Sequence, residues 1–246
     1  IWMTALTDLH CHILPGLDDG PKDWAATWDM IETAVGSNVG RIVCTPHCRL
    51  SDPRLVERSQ RIGALAEVLN RALAKRQIPL QVFPGAELLW EGNRYDPSVL
   101  RELTLAGTRY LLVEFPFGER LSRMEYAARC VEDAGFLPVL AHPERYGAVQ
   151  RDPGCLAEWF GNGWVLQLDK GSVLGDFGAS AFRTASWTLG HGLAHVVASD
   201  AHNGESRTPS FQRLEKVLKE RFSEGYAELL LQRNPGRIAK GIAVVK

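Results

Sequence analysis

Asp8-Leu9-His10-Cys11-His12 sets two imidazoles two residues apart beside a carboxylate, at the end of an apolar run that reads as a strand. In extended backbone alternate side chains share a face, so Asp8, His10 and His12 are expected to point one way and Leu9, Cys11 and Ile13 the other. Such a strand end can grip a metal ion, although two satisfied histidines at a solvated terminus would give the same short pattern. Recurrence separates the two readings. His47, Glu87, Glu114, His142, Asp200 and His202 each follow a further apolar run, and Asp19 lies in the loop after the first.

The elements that must carry these residues alternate. Strands are expected at residues 4–10, 41–45, 80–83 leading on to Glu87, 110–115, 137–141, 165–168 and 194–199. Helices are expected from Asp23 as a cap to about residue 38, and over 53–76, 123–134, 155–160, 179–189, 210–222 and 227–232. Pro235 is placed to open a last short one. Leu55, Ile62, Leu65, Leu69 and Leu73 recur at helical spacing, and Gly135 is the expected stop of its helix. Short apolar strands buried on both faces and separated by helices are the pattern of parallel βαβ units. One such series without a linker favours a single barrel-like domain over residues 1–246, with an open doubly wound sheet as the alternative.

In a parallel barrel the C-terminal ends of all strands open on one face. Of the seven histidines, His10, His12, His47, His142 and His202 fall at that face, whereas His191 and His195 precede the last strand and are assigned structural or surface roles. Imidazoles mixed with carboxylates suit Mn, Fe or Zn better than calcium. The set His10, His12, Asp19, His47, Glu87, Glu114, His142, Asp200 and His202 exceeds the needs of one tetrahedral ion and points to two or three bridged by a carboxylate. Clusters with ions roughly 3.5–4 Å apart hydrolyse phosphate esters with a metal-activated hydroxide and no protein nucleophile. Arg145 and Arg207 lie close in sequence to this rim, and a guanidinium fork matches two phosphoryl oxygens. A surface ion pair of Arg145 with Glu144 is the competing reading.

A second motif competes. His47-Cys48 with Arg54 has the HCx5R spacing of cysteine-dependent tyrosine phosphatases, in which a thiolate attacks phosphorus. The interior of that loop lacks glycine, carries Asp52, and loses an amide donor at Pro53, and Leu55 follows the arginine where Ser or Thr is usual. Cys44 and Cys48 around His47 suggest a zinc knuckle, but no second ligand pair supports it.

Composition bounds the rest. The chain has 246 residues, 45% hydrophobic and 23% charged, with a net charge of -1, so no general attraction to nucleic acid or membrane is expected. Five cysteines without CxxC spacing suit reduced thiols in a cytoplasmic protein. No apolar span or signal peptide is evident, and Met3 is a possible natural start after Ile1-Trp2. Direct membrane insertion is therefore not expected, although work at a membrane through a partner is compatible.

Asp8-Leu9-His10-Cys11-His12, Thr45-Pro46-His47, Gly85-Ala86-Glu87, Ala141-His142-Pro143-Glu144-Arg145 and Ser199-Asp200-Ala201-His202 resemble the polymerase and histidinol phosphatase (PHP) superfamily. Asp18-Asp19-Gly20-Pro21, Val113-Glu114-Phe115 and Asn234-Pro235 narrow the resemblance to its bacterial CpsB-type metal-dependent protein-tyrosine phosphatases, over nearly the whole chain. The resemblance implies an α/β fold, a distorted (β/α)7 TIM-like barrel, and a three-metal site, often manganese, with Fe, Zn or Mg as alternatives. It implies one ion on His10, His12, Glu87 and Asp200, a second on Glu87, Glu114 and His142, and a third on Asp19, His47 and His202. Arg145 and Arg207 match the family's phosphate-binding arginines. The implied substrate is a phosphotyrosine on the tail of a bacterial tyrosine autokinase of capsule and exopolysaccharide synthesis. A PHP phosphatase of small phosphomonoesters such as histidinol phosphate is the alternative, and a non-catalytic metal-binding module a third. One departure stands out: after the sixth strand the chain reads Gln167-Leu168-Asp169-Lys170-Gly171-Ser172, with charges where the family has small uncharged residues. They are expected either to reshape the pocket floor or to pair with each other.

Overall fold

The computed structural model describes residues 5–92 and 96–246; the expected strand position Thr4 and the question of Met3 lie outside them. The strands are β1 (Leu6–Cys11), β2 (Val39–Cys44), β3 (His47–Arg49), β4 (Gln81–Pro84), β5 (Glu87–Leu89), β6 (Tyr110–Glu114), β7 (Leu137–Ala141), β8 (Val165–Asp169) and β9 (Val196–Ala198). All pair in parallel, in the orders β1-β2-β4 and β3-β5-β6-β7-β8-β9. β2 and β3 are two halves of one stave, parted at Thr45-Pro46, and β4 and β5 are halves of the next, parted at Gly85-Ala86. These strands thus make seven staves, as the resemblance implied.

The ring closes between the last stave and the first. Cys11 bridges Ala201, the Asp200 amide donates to the His10 carbonyl at 2.8 Å, and the His12 amide donates to the Ala201 carbonyl at 2.8 Å. A closed ring excludes the open doubly wound sheet. The breaks have local causes. Pro46 has no amide to extend the ladder, and Gly85 sits where a Cβ would lie 2.8 Å from Val43 Cγ1 and 3.1 Å from Leu105 Cδ2.

Side chains alternate between two cores. Leu9, Val43, Leu112, Val139, Val165, Val196 and Ala198 fill the barrel interior, with Tyr110 and Ile238 in the same cluster. Leu6, Ile42, Leu88, Leu111, Val113, Leu140, Leu166 and Val197 face outward into the layer packed by the helices. This is the filled barrel expected of parallel staves.

β1 corrects the simple alternation expected of it. Its register shifts between Asp8 and Cys11. Leu9 therefore joins the interior together with the His10 and His12 side chains, while Cys11 and Ile13 pack outside. Asp8 leaves the histidines and accepts from the Ser199 amide at 3.0 Å and from the Ser199 hydroxyl. It is a bracket between the first and last staves.

The helices follow their signals closely. Asp23 Oδ1 accepts the Ala26 amide at 3.0 Å to open helix Trp24–Gly36. Helix Leu55–Lys75 buries Leu55, Ile62, Leu69 and Leu73. Gly135, with φ of 87°, follows helix Leu121–Asp133. The helix expected at 227–232 is instead helix Glu224–Glu228 running into a wider π-type turn, Leu229–Arg233, before Asn234–Ile238. Among the described residues no helix is long and apolar enough to cross a membrane.

Adding a methyl at the second stave break should push Val43 or Leu105 out of the interior. Gly85→Ala is expected to cost about 1–3 kcal/mol, read as a lower urea midpoint with an unchanged slope. A variant as stable as the parent would mean that the contact at Gly85 relaxes freely.

Candidate metal centre

Every candidate ligand arrives at one end of the barrel, but from differently built supports. His10 and His12 come from the irregular end of β1, His47 from β3, Glu87 from β5 and Glu114 from the end of β6. His142 and Asp200 follow β7 and β9 with left-handed backbone, φ of 35° and 47°. Non-glycine residues avoid that region because Cβ crowds the backbone, so both sites store strain of the kind found at functional positions. Gly20 lets the Asp18-Asp19 loop lie against β1, since a Cβ there would stand 2.5 Å from the His12 carbonyl oxygen.

The ring nitrogens are oriented from behind. Gln167 donates its amide to the Leu168 carbonyl at 2.8 Å, which leaves its Oε1 to accept from His10 Nδ1 at 2.9 Å. Asp18 Oδ2 accepts from His12 Nδ1 at 2.7 Å and from the His47 amide at 2.9 Å. Each Nδ1 therefore carries its hydrogen, and each Nε2 of a neutral ring presents a lone pair inward. Those two Nε2 atoms stand 3.2 Å apart. Glu87 Oε2 lies 3.2 and 3.3 Å from them, and Asp200 Oδ1 lies 3.3 and 3.4 Å. Two lone pairs and two carboxylate oxygens facing one another in a buried space require positive charge between them.

Three groups of donor atoms meet this requirement, each with all atoms within 4.8 Å of one another: His10, His12, Glu87 and Asp200; His12, Asp19, His47 and His202; and His47, Glu87 and Glu114. His142 Nε2 faces both carboxylates of the last group, 3.1 Å from Glu87 Oε1 and 3.7 Å from Glu114 Oε1. His47 turns Nδ1 to Glu87 at 2.9 Å and Nε2 to Asp19 at 3.4 Å, so one ring stands between two groups. His142 Nδ1 is buried with no hydrogen-bond partner among the described residues, and His202 Nε2 faces Asp19 Oδ1 at 3.2 Å. Imidazoles and carboxylates gathered this densely fit divalent cations.

Electrostatics agree. Burial alone would pull His10 down, but Glu87 and Asp200 overcome it and raise the ring to about 9. His12 is raised well above the usual value although burial opposes it, because Asp18, Asp200 and Glu87 surround it. Burial would raise Glu87 and Asp200, but the imidazoles hold both well below the ordinary carboxylate range. Burial and the charge on His12 push His202 down to about 4.

Two guanidiniums stand above this cluster. Arg145 Nη1 lies 3.2 Å from Asp200 Oδ2 and 3.4 Å from Asp169 Oδ2, and Arg207 Nη2 donates to the same Asp200 oxygen at 2.6 Å. Asp200 thus gives one oxygen to the imidazoles and the other to both arginines. The Arg145–Glu144 pair is not formed; Glu144 is buried and accepts the Asp169 amide at 2.9 Å. Phe117 and Phe177 flank the Arg145 guanidinium at 4.9 and 4.2 Å from their ring centroids. Beside them a groove of about 430 Å³ runs from His47 and Glu114 along Leu89, Phe115, Pro116 and Phe117 to Arg49 and Glu91.

The remaining candidates fall away. Cys48 is buried, and burial pushes its thiol up to about 11, with Arg58 only partly opposing. Arg54, the arginine of that motif, is exposed, and its amide is taken by Asp52 Oδ1 at 2.8 Å, while Arg58 donates to the His47 and Leu17 carbonyls. His195 is buried and accepts the Leu166 amide, and His191 is exposed. Sequence reasoning missed Asp18 and Gln167 as orienting partners. A glutamine inside the apolar run Val165-Leu166-Gln167-Leu168 was the available signal for the second.

The sequence matches the family described as capsular polysaccharide synthesis, CpsB/CapC, over residues 6–240. It is 33% identical over 232 residues to tyrosine-protein phosphatase YwqE of Bacillus subtilis (strain 168), covering 92% of this chain and 89% of that protein. It is 28% identical over 240 residues to tyrosine-protein phosphatase CpsB of Streptococcus pneumoniae, covering 95% of this chain and 98% of that one. A crystal structure described as YwqE from Bacillus subtilis and CpsB from Streptococcus pneumoniae, unique metal-dependent tyrosine phosphatases, superposes with a TM-score of 0.87 at 32% identity, covering 97% of this chain and 96% of that chain. A beta-aspartyl dipeptidase of Fervidobacterium islandicum AW-1 shares the fold alone, with a TM-score of 0.63 at 14% identity, covering 96% of this chain and 72% of that chain.

Because the carboxylates raise His10 and His12, protons occupy these rings until a cation displaces them. Cation affinity should therefore fall as pH falls from 8 to 6, roughly tenfold per pH unit for each proton displaced. Calorimetry with manganese in buffers of different ionisation heat would count those protons; affinity independent of pH, with no proton release, would refute the arrangement.

Proposed function

The chain belongs to the CpsB/CapC family of capsular polysaccharide synthesis, and from that premise we propose that residues 1–246 act as one PHP-type, metal-dependent protein-tyrosine phosphatase domain. The observation that carries this reading is the pair of facing Nε2 lone pairs of His10 and His12, held with Glu87 and Asp200 beneath two arginines. His10, His12, Glu87 and Asp200 would hold one divalent ion, Glu87, Glu114 and His142 a second, and Asp19, His47 and His202 a third, with manganese our choice. Bound ions lower the pKa of water and offset negative charge on phosphoryl oxygens.

The chain's own groups do the rest. Arg145 and Arg207 rest on Asp200 Oδ2 and can exchange that oxygen for phosphoryl oxygens without leaving the mouth of the barrel. Gln167 and Asp18 keep the His10 and His12 lone pairs aimed inward through the reaction. The groove along Phe117, which is 50% exposed, offers an aromatic wall to the tyrosyl ring beside the bound phosphate. Cys48, buried and protonated at neutral pH, takes no part. We place the substrate tyrosine on the tail of a bacterial tyrosine autokinase and the enzyme in the cytoplasm, consistent with the family's role in capsule synthesis.

Assays on a phosphotyrosine peptide beside histidinol phosphate should show preference for the peptide, loss with chelator and recovery with manganese. His142→Ala should lower kcat by roughly two orders of magnitude, while Cys48→Ser stays near the parent. Phe117→Ala should raise KM for the peptide by about 2–10-fold and leave histidinol phosphate unaffected. Activity that survives chelation and vanishes with Cys48→Ser would overturn the metal mechanism, and a preference for histidinol phosphate would overturn the substrate.

A further inference from the structure

Asp169 and Lys170 do not form an ion pair with each other; they diverge toward the two arginines. Asp169 is fixed on its own side, with its amide on Glu144 Oε1 at 2.9 Å, its Oδ1 accepting the Gly171 amide at 2.7 Å, and its Oδ2 beside Arg145. Lys170 turns the other way. Its ammonium donates to the Thr208 carbonyl and, at 3.0 Å, to the Ser210 carbonyl. It is only 8% exposed, and among the described residues no carboxylate lies within 4.0 Å of it. Burial pulls this ammonium down, with Asp8 and Asp169 opposing at longer range.

Residues 199–211 form no helix or strand, yet they carry Asp200, His202 and Arg207. The first part of this loop holds itself together. Asn203 Oδ1 accepts the amides of Glu205, Ser206 and Arg207, and the Arg207 carbonyl accepts the amides of His202 and Asn203. The start of the loop is tied to β1 through Asp200 and Ala201, and past Arg207 the Ser37 hydroxyl donates to the Pro209 carbonyl at 3.4 Å. The stretch just beyond Arg207 is where Lys170 takes hold. Burying a cation costs several kcal/mol, and two carbonyls could be satisfied by a neutral donor or by water. The charge on Lys170 is explained if the position of that loop matters.

We propose that Lys170 is a positioning residue that sets the height of the Arg207 loop, so that the Arg207 and Arg145 guanidiniums stand at the spacing of one phosphoryl group. Both ends of the bracket are then tied to β8 and the start of helix Lys170–Leu174: Arg145 through Asp169, and Arg207 through Lys170. Lys170 touches no substrate, so its effect passes through Arg207. This rests on reading Arg207 as a phosphate ligand, and the test separates the two claims.

The test is a double-mutant cycle on the metal-loaded enzyme, read as KM for a phosphotyrosine peptide and as competitive inhibition by inorganic phosphate. Lys170→Met is expected to raise both KM and the phosphate inhibition constant about tenfold, with bound metal unchanged by elemental analysis. Lys170→Arg, which keeps charge and donors, should recover most of the loss. Arg207→Ala should weaken phosphate more than Lys170→Met does, and the double variant should be no worse than Arg207→Ala alone. Should Lys170→Met fail to fold, Lys170→Gln, which retains a donor, enters the same cycle with the same expected sign. Additive losses, or a Lys170 variant with parental KM and phosphate inhibition, would overturn the role of Lys170 while leaving Arg207 in place. An Arg207→Ala enzyme with parental phosphate inhibition would overturn the phosphate-ligand reading itself, and this inference with it.

Discussion

The constraint from which the rest of the structure follows is the approach of two imidazole lone pairs to 3.2 Å inside a buried pocket already occupied by carboxylates. Left to themselves, such groups would move apart; here the surrounding carboxylates favour protons on the rings until a cation takes their place. They are held because each ring is anchored through its other nitrogen, His10 by Gln167 and His12 by Asp18. Those anchors are in turn fixed by the Leu168 carbonyl and by the Gly20 and His47 amides. Preorganisation of this kind removes the cost of gathering donors when a cation arrives.

The barrel is distorted where the centre requires it. A regular stave sends every second side chain inward, which would give β1 either Leu9 or His10 to the interior but not both. The register shift between Asp8 and Cys11 gives both, and Asp8 is left outside to join β1 to Ser199. The breaks at Thr45-Pro46 and Gly85-Ala86 let β3 and β5 pair apart from β2 and β4, and these upper halves carry His47 and Glu87. Left-handed backbone at His142 and Asp200 re-aims the ends of two more staves. These departures supply the rim with its donors, while the interior below it is packed largely with aliphatic side chains.

Charge is layered outward from the same point. Carboxylates and imidazoles form the floor, Asp200 joins that floor to two arginines, and aromatic rings from Phe117 and Phe177 border the arginines. Arg145 and Arg207 border the mouth on the Asp200 side, and His47 and the exposed Asp19 border it on the other. Positive charge is thus gathered locally at this mouth in a chain whose net charge is only -1.

Much of this was written in the sequence. The residue types, their placement after apolar runs, and the alternation of short strands with helices sufficed for a parallel barrel whose mouth gathers imidazoles and carboxylates, because strand ends in such a barrel share one face. The capping of Asp23 and the stop at Gly135 were equally legible, since each depends on neighbours a few residues away. What depended on distant partners was not. Asp8 is expected on one face with His10 and His12, but Ser199, far along the chain, claims it. Asp169 and Lys170 looked able to pair, yet each found a better partner across the fold, in Arg145 and in the Thr208 and Ser210 carbonyls. Sequence fixes which groups a short segment can offer; only the closed barrel decides which of them meet, because hydrogen bonds and charges are satisfied by whatever folding brings within 3 or 4 Å.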